Sequence, residues 1–365
     1  MSPQQHTPFD AVTFGHGPSM KNRFMLAPLT NTQSHADGTL SNDEPHWLSM
    51  RATGAFGLTM TAAATVQKRG QGFQGQLGVY HNDQMSGLVD LASRLNDAGT
   101  VSYVQLHHAG NRTPADLIGE APVSASDDPQ TGARALTAAE VEQTVQDFID
   151  GAVRSQKAGF HGVELHGAHG YLICQFLSSE LNVRTDHYGG SLENRSRFLF
   201  EIVEGVRKAC PGLALGVRLS PERFGMKIPE IAEVYVRLVD AGVDLIDMSL
   251  WDVFKQPVDE QQGAFAGKNL TEIFAELPRG NTRLGVAGKI HDPADVQRVL
   301  DLGVDVAVLG RVAILHHDYP NQVQAAGAGF VPRRPPASPA TLAEEGLSAT
   351  FIEYMRASFK GFVGD

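Results

Sequence analysis

The chain predicts an α/β fold, a (β/α)8 TIM barrel forming a single domain, and three observations carry that prediction. Eight short apolar runs recur with amphipathic stretches between them, the pattern of repeated strand–helix units. These units extend over about 290 residues, a length suited to closure into a barrel. An open dinucleotide-binding sheet would instead carry a glycine fingerprint at its first strand–helix turn. The one literal match, Gly70-Gln-Gly-Phe-Gln-Gly75, follows Val66-Gln-Lys-Arg, which is no strand ending, and precedes no helix opening, so it reads as a loop.

The strands are predicted at Arg23–Pro28, Phe56–Thr61, Val101–His107, Gly162–His166, Leu213–Leu219, Val243–Ser249, Arg283–Gly288 and Val304–Gly310. Helical periodicity covers Thr137–Ala158, opened by a capping box at Thr137 and Glu140, and Leu192–Ala209, opened at Ser191. Further helices are expected near Asp83–Ala98, Pro229–Ala241 and Pro293–Leu302. The segment Arg112–Leu136, with Pro114, Pro122 and Pro129, reads as an irregular excursion beyond the third strand and a candidate lid. The run VPRRPPASP at 331–339 is too rich in proline to be helical. It divides the barrel, residues 1–330, from a tail at 331–365 that ends in an amphipathic helix near Ser348–Phe359.

Composition narrows the function. Thirty Lys and Arg stand against 41 Asp and Glu, a formal charge of −11, which disfavours nucleic acid and anionic membranes as partners. An anionic ligand must therefore be captured by a local arrangement. The two cysteines, Cys174 and Cys210, have no paired spacing, so neither a disulfide framework nor a cysteine-ligated cluster is expected. The N-terminal residues show no charged-then-apolar signal pattern and no run approaches the roughly 20 apolar residues of a membrane span. A cytoplasmic protein acting on a small molecule is the expectation, and self-association into a homo-oligomer is compatible with it.

Strand alternation then orients side chains, because residues two apart share a face. Gln105, Glu164, His166 and Arg218 fall on inward faces, while Val104, Leu106, Val163, Leu165, Leu215 and Val217 fall outward, under helices. Polar groups on adjacent inward faces need partners, so a polar ligand or a mutual network is expected, with Glu164 and Arg218 as one candidate pair. The fourth strand runs into His166-Gly-Ala-His-Gly-Tyr171, which sets His166, His169 and Tyr171 where barrels of this kind keep their chemistry. Two imidazoles and a phenol suit holding an oxygen and delivering a proton to carbon. After the seventh and eighth strands, Gly288 and Gly310-Arg311 match the usual phosphate cradle of the barrel.

Several separated motifs over about Phe9–Phe330 resemble the Old Yellow Enzyme family of flavin-dependent ene-reductases. They are Asn22-Arg-Phe-Met-Leu-Ala-Pro-Leu-Thr30, Gln105-Leu-His-His-Ala-Gly110, the block from His166 to Phe198, Val217-Arg-Leu-Ser220, and Gly288 with Gly310-Arg311. The resemblance implies non-covalent FMN reduced by NAD(P)H. Pro28, Thr30 and Ala64 would stand beside the cofactor, Gln105 and Arg218 at its pyrimidine edge, and Gly288, Gly310 and Arg311 at its phosphate. His166 and His169 would grip the oxygen of an electron-poor alkene, an α,β-unsaturated carbonyl or nitro compound, while hydride passes from flavin N5 to the β-carbon. Tyr171 would protonate the α-carbon. The chain departs from the family at Asn111-Arg112, where His-Ala-Gly-Arg is usual, and at Ala62-Ala-Ala64, where many members carry a glutamate.

Taken alone, a His-x-x-His pair at a strand end is also half of a metal site, which keeps a metal-dependent barrel hydrolase as an alternative. Such hydrolases also use histidines on the first strand and an acid closing the last. Here those places hold Arg23–Pro28 and Leu309-Gly310, so no metal is expected. A flavin barrel oxidising amines or other substrates is the remaining alternative. His107 reads as a core or supporting histidine, and His108 as either a ligand contact or a loop brace.

Overall fold

The computed structural model describes residues 6–258 and 263–364, and within them eight parallel strands close a barrel in sequence order. The strands are β1 (Phe24–Leu26), β2 (Leu58–Thr65), β3 (Val101–His107), β4 (Gly162–Gly167), β5 (Ala214–Leu219), β6 (Leu245–Ser249), β7 (Arg283–Ala287) and β8 (Val306–Leu309). All eight lie where the apolar runs predict them. Only β2 runs well past its expected end at Thr61. The reason is a bulge: Met60 pairs with Tyr103 and Ala63 with Gln105, so β2 carries one extra residue and its alternation flips.

Two apolar cores result. Outward side chains such as Val104, Leu106, Val163, Leu165 and Val217 join the helices in one continuous layer. Inside the barrel, Leu58, Met60, Tyr103, Ala214, Leu245 and Val306 pack with Val12, Phe14 and Met20. Those last three come from an N-terminal segment folded on itself through an antiparallel Val12–Met20 bridge. It plugs the floor, so only the C-terminal mouth is left for a ligand.

The long helix Ala138–Ala158 begins with the predicted reciprocal cap between Thr137 and Glu140, and Leu192–Ala209 is capped by Ser191. Helices at Met85–Asp97, Ile228–Asp240 and Pro293–Asp301 also match their sequence periodicity. Other helices, including Asp43–Thr53, Leu172–Leu177 and Tyr319–Ala326, are not legible in the sequence. The tail adds helices Pro339–Glu344 and Ala349–Ser358, the latter seated by an edge contact of Phe351 on Trp47 at 5.4 Å. Residues 68–75 form a 3-10 turn and loop, in agreement with the rejected glycine fingerprint.

The excursion from Arg112 to Leu136 is more ordered than predicted. It holds a short helix, Ala115–Ile118, and a pair of two-residue strands, Val123–Ser124 with Arg134–Ala135. None of its residues beyond Arg112 reaches the central cavity or lines it, so the lid expectation is corrected to that of a braced flank. Among the described residues no helix is long and apolar enough to cross a membrane.

Replacing Thr137 with Ala removes the acceptor for the Glu140 N–H and should lower stability by about 1 kcal/mol. Urea denaturation of the variant checks this, and an unchanged midpoint would mean the cap is not limiting.

Candidate active site

The C-terminal mouth of the barrel opens into an elongated cavity of about 1240 Å³. Pro28, Thr30, Gln105, His166, His169, Tyr171, Arg218, Gly288, Gly310 and Arg311 all line it, as the sequence placed them. Ala64 does not. It is fully buried in the outer core, and the β2 bulge instead turns Ala63 toward the cavity. The resemblance implied Ala64, and the one residue inserted between Met60 and Ala63 shifts which alanine faces inward.

Below the mouth lies a polar cluster in which nearly everything is buried. Gln105 donates from Nε2 to Glu164 Oε1 at 2.8 Å. The expected pairing of Glu164 with Arg218 is replaced by another: Arg218 Nε lies 3.0 Å from Asp247 Oδ2 on the neighbouring strand, a residue not singled out from sequence. The contact is an ion pair without an aligned hydrogen bond, since Arg218 Nε and both Asp247 carboxyl oxygens lack hydrogen-bond partners, as does Glu164 Oε2. Two buried carboxyls thus face one guanidinium. Burial first, then the Asp247 charge, raises the Glu164 carboxyl, and burial raises Asp247 against the pull of Arg218. The cluster holds a proton that two exposed acids would have released.

Above it the two histidines form a chain. His166 Nδ1 accepts the Ala168 backbone N–H at 3.3 Å, which leaves the ring proton on Nε2, 3.3 Å from His169 Nδ1. His169 Nε2 then lies 2.7 Å from the Ser249 hydroxyl. Ser249 both donates and accepts, so it supports either tautomer of His169 and lets both imidazoles turn an N–H to a bound oxygen. Burial holds both histidines well below the ordinary value, so they are neutral donors at pH 7.

The Tyr171 ring stands edge-on to His107 at 4.4 Å and to His166 at 4.9 Å, and burial raises its phenol, keeping the proton in place. Arg112, the displaced family arginine, stacks on Tyr171 at 4.9 Å and donates to the His169 carbonyl. The late arginine therefore still reaches the site, while Asn111 is bound to Asp128 and Gln175. His107 supports from beneath, with Nδ1 on Gln76 at 2.9 Å. His108 braces a loop, holding Gln67 and the Gly110 N–H. Among the described residues no third metal ligand completes the His-x-x-His pair. Cys174 is buried and its thiol is pushed up to about 12.

The other end of the cavity has a different character. Gly288 has φ 149°, and a Cβ there would lie 2.7 Å from the Trp251 backbone, so this turn admits only glycine. Gly310 precedes the short helix Arg311–Leu315, and the exposed Arg311 has no carboxylate partner among the described residues. Arg334, Pro335, Tyr354, Met355 and Phe359 also line the cavity, a wall built by the tail that sequence reasoning missed. Neutral donors at one end, a guanidinium with an unpartnered Nε at the centre and a cationic glycine turn at the other fit a long, flat ligand with a phosphorylated tail.

Comparison with known proteins agrees with this geometry. Residues 8–327 match the NADH:flavin oxidoreductase / NADH oxidase family. A probable NADH-dependent flavin oxidoreductase of Bacillus subtilis, YqiG, is 33% identical over 336 residues, covering 89% of each chain. The old yellow enzyme homologue from Zymomonas mobilis superposes with a TM-score of 0.80 at 26% identity, over 92% of this chain and 96% of that one. Morphinone reductase in complex with tetrahydroNAD gives 0.78 at 25% identity, over 94% and 96%. The fold and cavity define a flavin-binding barrel oxidoreductase. The chain belongs to the NADH:flavin oxidoreductase / NADH oxidase family, of Old Yellow Enzyme type, with FMN as cofactor and NAD(P)H as reductant.

The buried acids give the apoprotein a distinctive pH dependence. Between the ordinary value of 4.5 and about 8, folded Glu164 keeps a proton that the unfolded chain has lost, so this group erodes stability as pH rises through that window. Glu164→Gln should reduce that decline. Urea denaturation at a series of pH values compares the two, and parallel curves would show that Glu164 does not carry the proton.

Proposed function

We propose that this oxidoreductase reduces electron-poor alkenes, α,β-unsaturated carbonyls or nitroalkenes, and that His166, His169 and Tyr171 are its catalytic residues. The observation that carries the reading is the joint placement of two neutral imidazoles, linked at 3.3 Å, and a protonated phenol 4.9 Å from His166 on the wall of one cavity. Neutral N–H groups suit an oxygen that gains negative charge only as the reaction proceeds, because they bind weakly before and strongly at the barrier. FMN, when bound, supplies the hydride chemistry.

The chain's own residues do the rest. His166 Nε2–H and His169 hold the carbonyl or nitro oxygen, with Ser249 adjusting the His169 tautomer. Tyr171 keeps its proton for the α-carbon, and the Arg112 guanidinium over its ring eases the loss of that proton by favouring phenolate. Gln105 and Arg218 are the groups for the cofactor's polar edge. Pro28 and Thr30, which line the cavity, would border the ring, and Gly288, Gly310 and Arg311 would hold the phosphate. The same pocket serves reductant and alkene in turn, which accounts for a single-barrel architecture without a separate nucleotide fold.

Anaerobic mixing of NAD(P)H-reduced enzyme with an enone, a nitroalkene and an amine tests this reading. Rapid reoxidation by the first two supports it, and reoxidation by none removes it. In Tyr171→Phe, reduction by NAD(P)H should persist while alkene turnover falls by roughly 10²–10⁴. Equal loss in both half-reactions would contradict the proton-donor role.

A further inference from the structure

Five of the seven non-glycine residues with positive φ among the described residues sit on one rim: His169, Arg223, Phe224, Trp251 and Lys289. They follow four successive strands, β4 to β7, and all but Phe224 line the cavity. Phe224 packs against the backbone instead, its ring 2.8 Å from where a Cβ on Gly170 would stand, between His169 and Tyr171. Left-handed backbone is unfavourable for bulky residues, and it gathers where a structure clamps a ligand. This rim is therefore rigidly tied to the catalytic residues.

Its charge is opposite to that of the chain. The formal net charge is −11, yet Arg218, Arg223, Lys255, Lys289, Arg311 and Arg334 line the cavity, and among the described residues Asp252 is their only acidic companion there. Four of these cations are neutralised: Arg218 by Asp247, Lys255 by Glu222, Lys289 by Asp252 and Arg334 by Asp292. Arg311 lies at the phosphate end. That leaves Arg223, which has no carboxylate partner among the described residues and whose guanidinium carbon lies over the Trp251 ring, 4.4 Å from its centre. Trp251 in turn stands edge-on to His169 at 6.1 Å. A guanidinium fixed on an aromatic face keeps its in-plane donors free, an arrangement suited to bidentate capture of an oxyanion.

We propose that Arg223, presented on Trp251 beside His169, selects an alkene substrate that carries an anionic group, a carboxylate or phosphate, remote from its double bond. The inference rests on the alkene-reducing reading and narrows it. A chain of net negative charge repels such substrates at long range, so a local cation decides their binding. The phosphate of NADPH offers the same chemistry, and the test separates the two sources.

Holoenzyme is assayed with a cyclohexenone bearing a carboxylate on a short alkyl arm and with its methyl ester, using NADH and NADPH separately. Wild type should favour the acid. Arg223→Gln should lower the acid-to-ester ratio of kcat/KM about tenfold, and Arg223→Lys, which keeps the charge but loses the bidentate fork, should retain only part of it. Raising ionic strength should erode the wild-type preference without any variant. Equal ratios in wild type and Arg223→Gln, or a wild-type ratio that salt does not change, would overturn the proposal. So would a change confined to NADPH against NADH, which would assign the cation to the reductant. Reduction of the ester without preference for the acid sinks this inference alone, whereas reduction of neither alkene removes the broader reading with it.

Discussion

Arg218 is the constraint around which the site is built. A guanidinium inside a barrel needs countercharge, and here two fully buried carboxyls, Glu164 and Asp247, supply more than one arginine requires. The excess is relieved by keeping a proton on the pair. Gln105 joins through Glu164, so the group proposed for the cofactor's polar edge is part of the same charge balance. Side-chain parity makes the arrangement possible. Gln105 pairs in register with Glu164, and Arg218 with Asp247, placing all four on inward faces of contiguous strands.

The barrel separates stability from chemistry along its axis. Its floor is filled by apolar side chains and the N-terminal plug, while polar side chains such as Gln105, His166, His169 and Arg218 line the mouth. The same closed hydrogen-bonded sheet supports both, so loops at the mouth can hold unfavourable backbone angles without loosening the core. The C-terminal tail contributes as well, since its helix forms one wall of the cavity.

The proposed catalytic wall depends on neutrality. Burial keeps His166 and His169 uncharged and Tyr171 protonated, and each is held by a partner outside the reacting set: Ala168, Ser249 and Arg112. Positive charge is placed farther out, on the rim and at the phosphate end. On the proposed reading an electron-poor alkene would meet donors that strengthen as its oxygen charges, rather than fixed cations that would bind it equally before and after.

The amino-acid sequence alone determined the eight strands, the principal helices and the inward placement of Gln105, His166 and Arg218, because period-2 alternation and capping residues are local signals. The His166–Phe198 block was legible through its resemblance to the family, and the glycine turns at 288 and 310 through their places after the last two strands. Only the tertiary structure decided the rest. Ala63 replaces Ala64 because a bulge is defined by the partner strand, and Asp247 replaces Glu164 as the partner of Arg218 because pairing depends on barrel closure. Ser249, the displaced Arg112 and the tail wall reach the site from distant parts of the chain. Those contacts follow from closing a sheet and packing its loops, which no local pattern in the chain encodes.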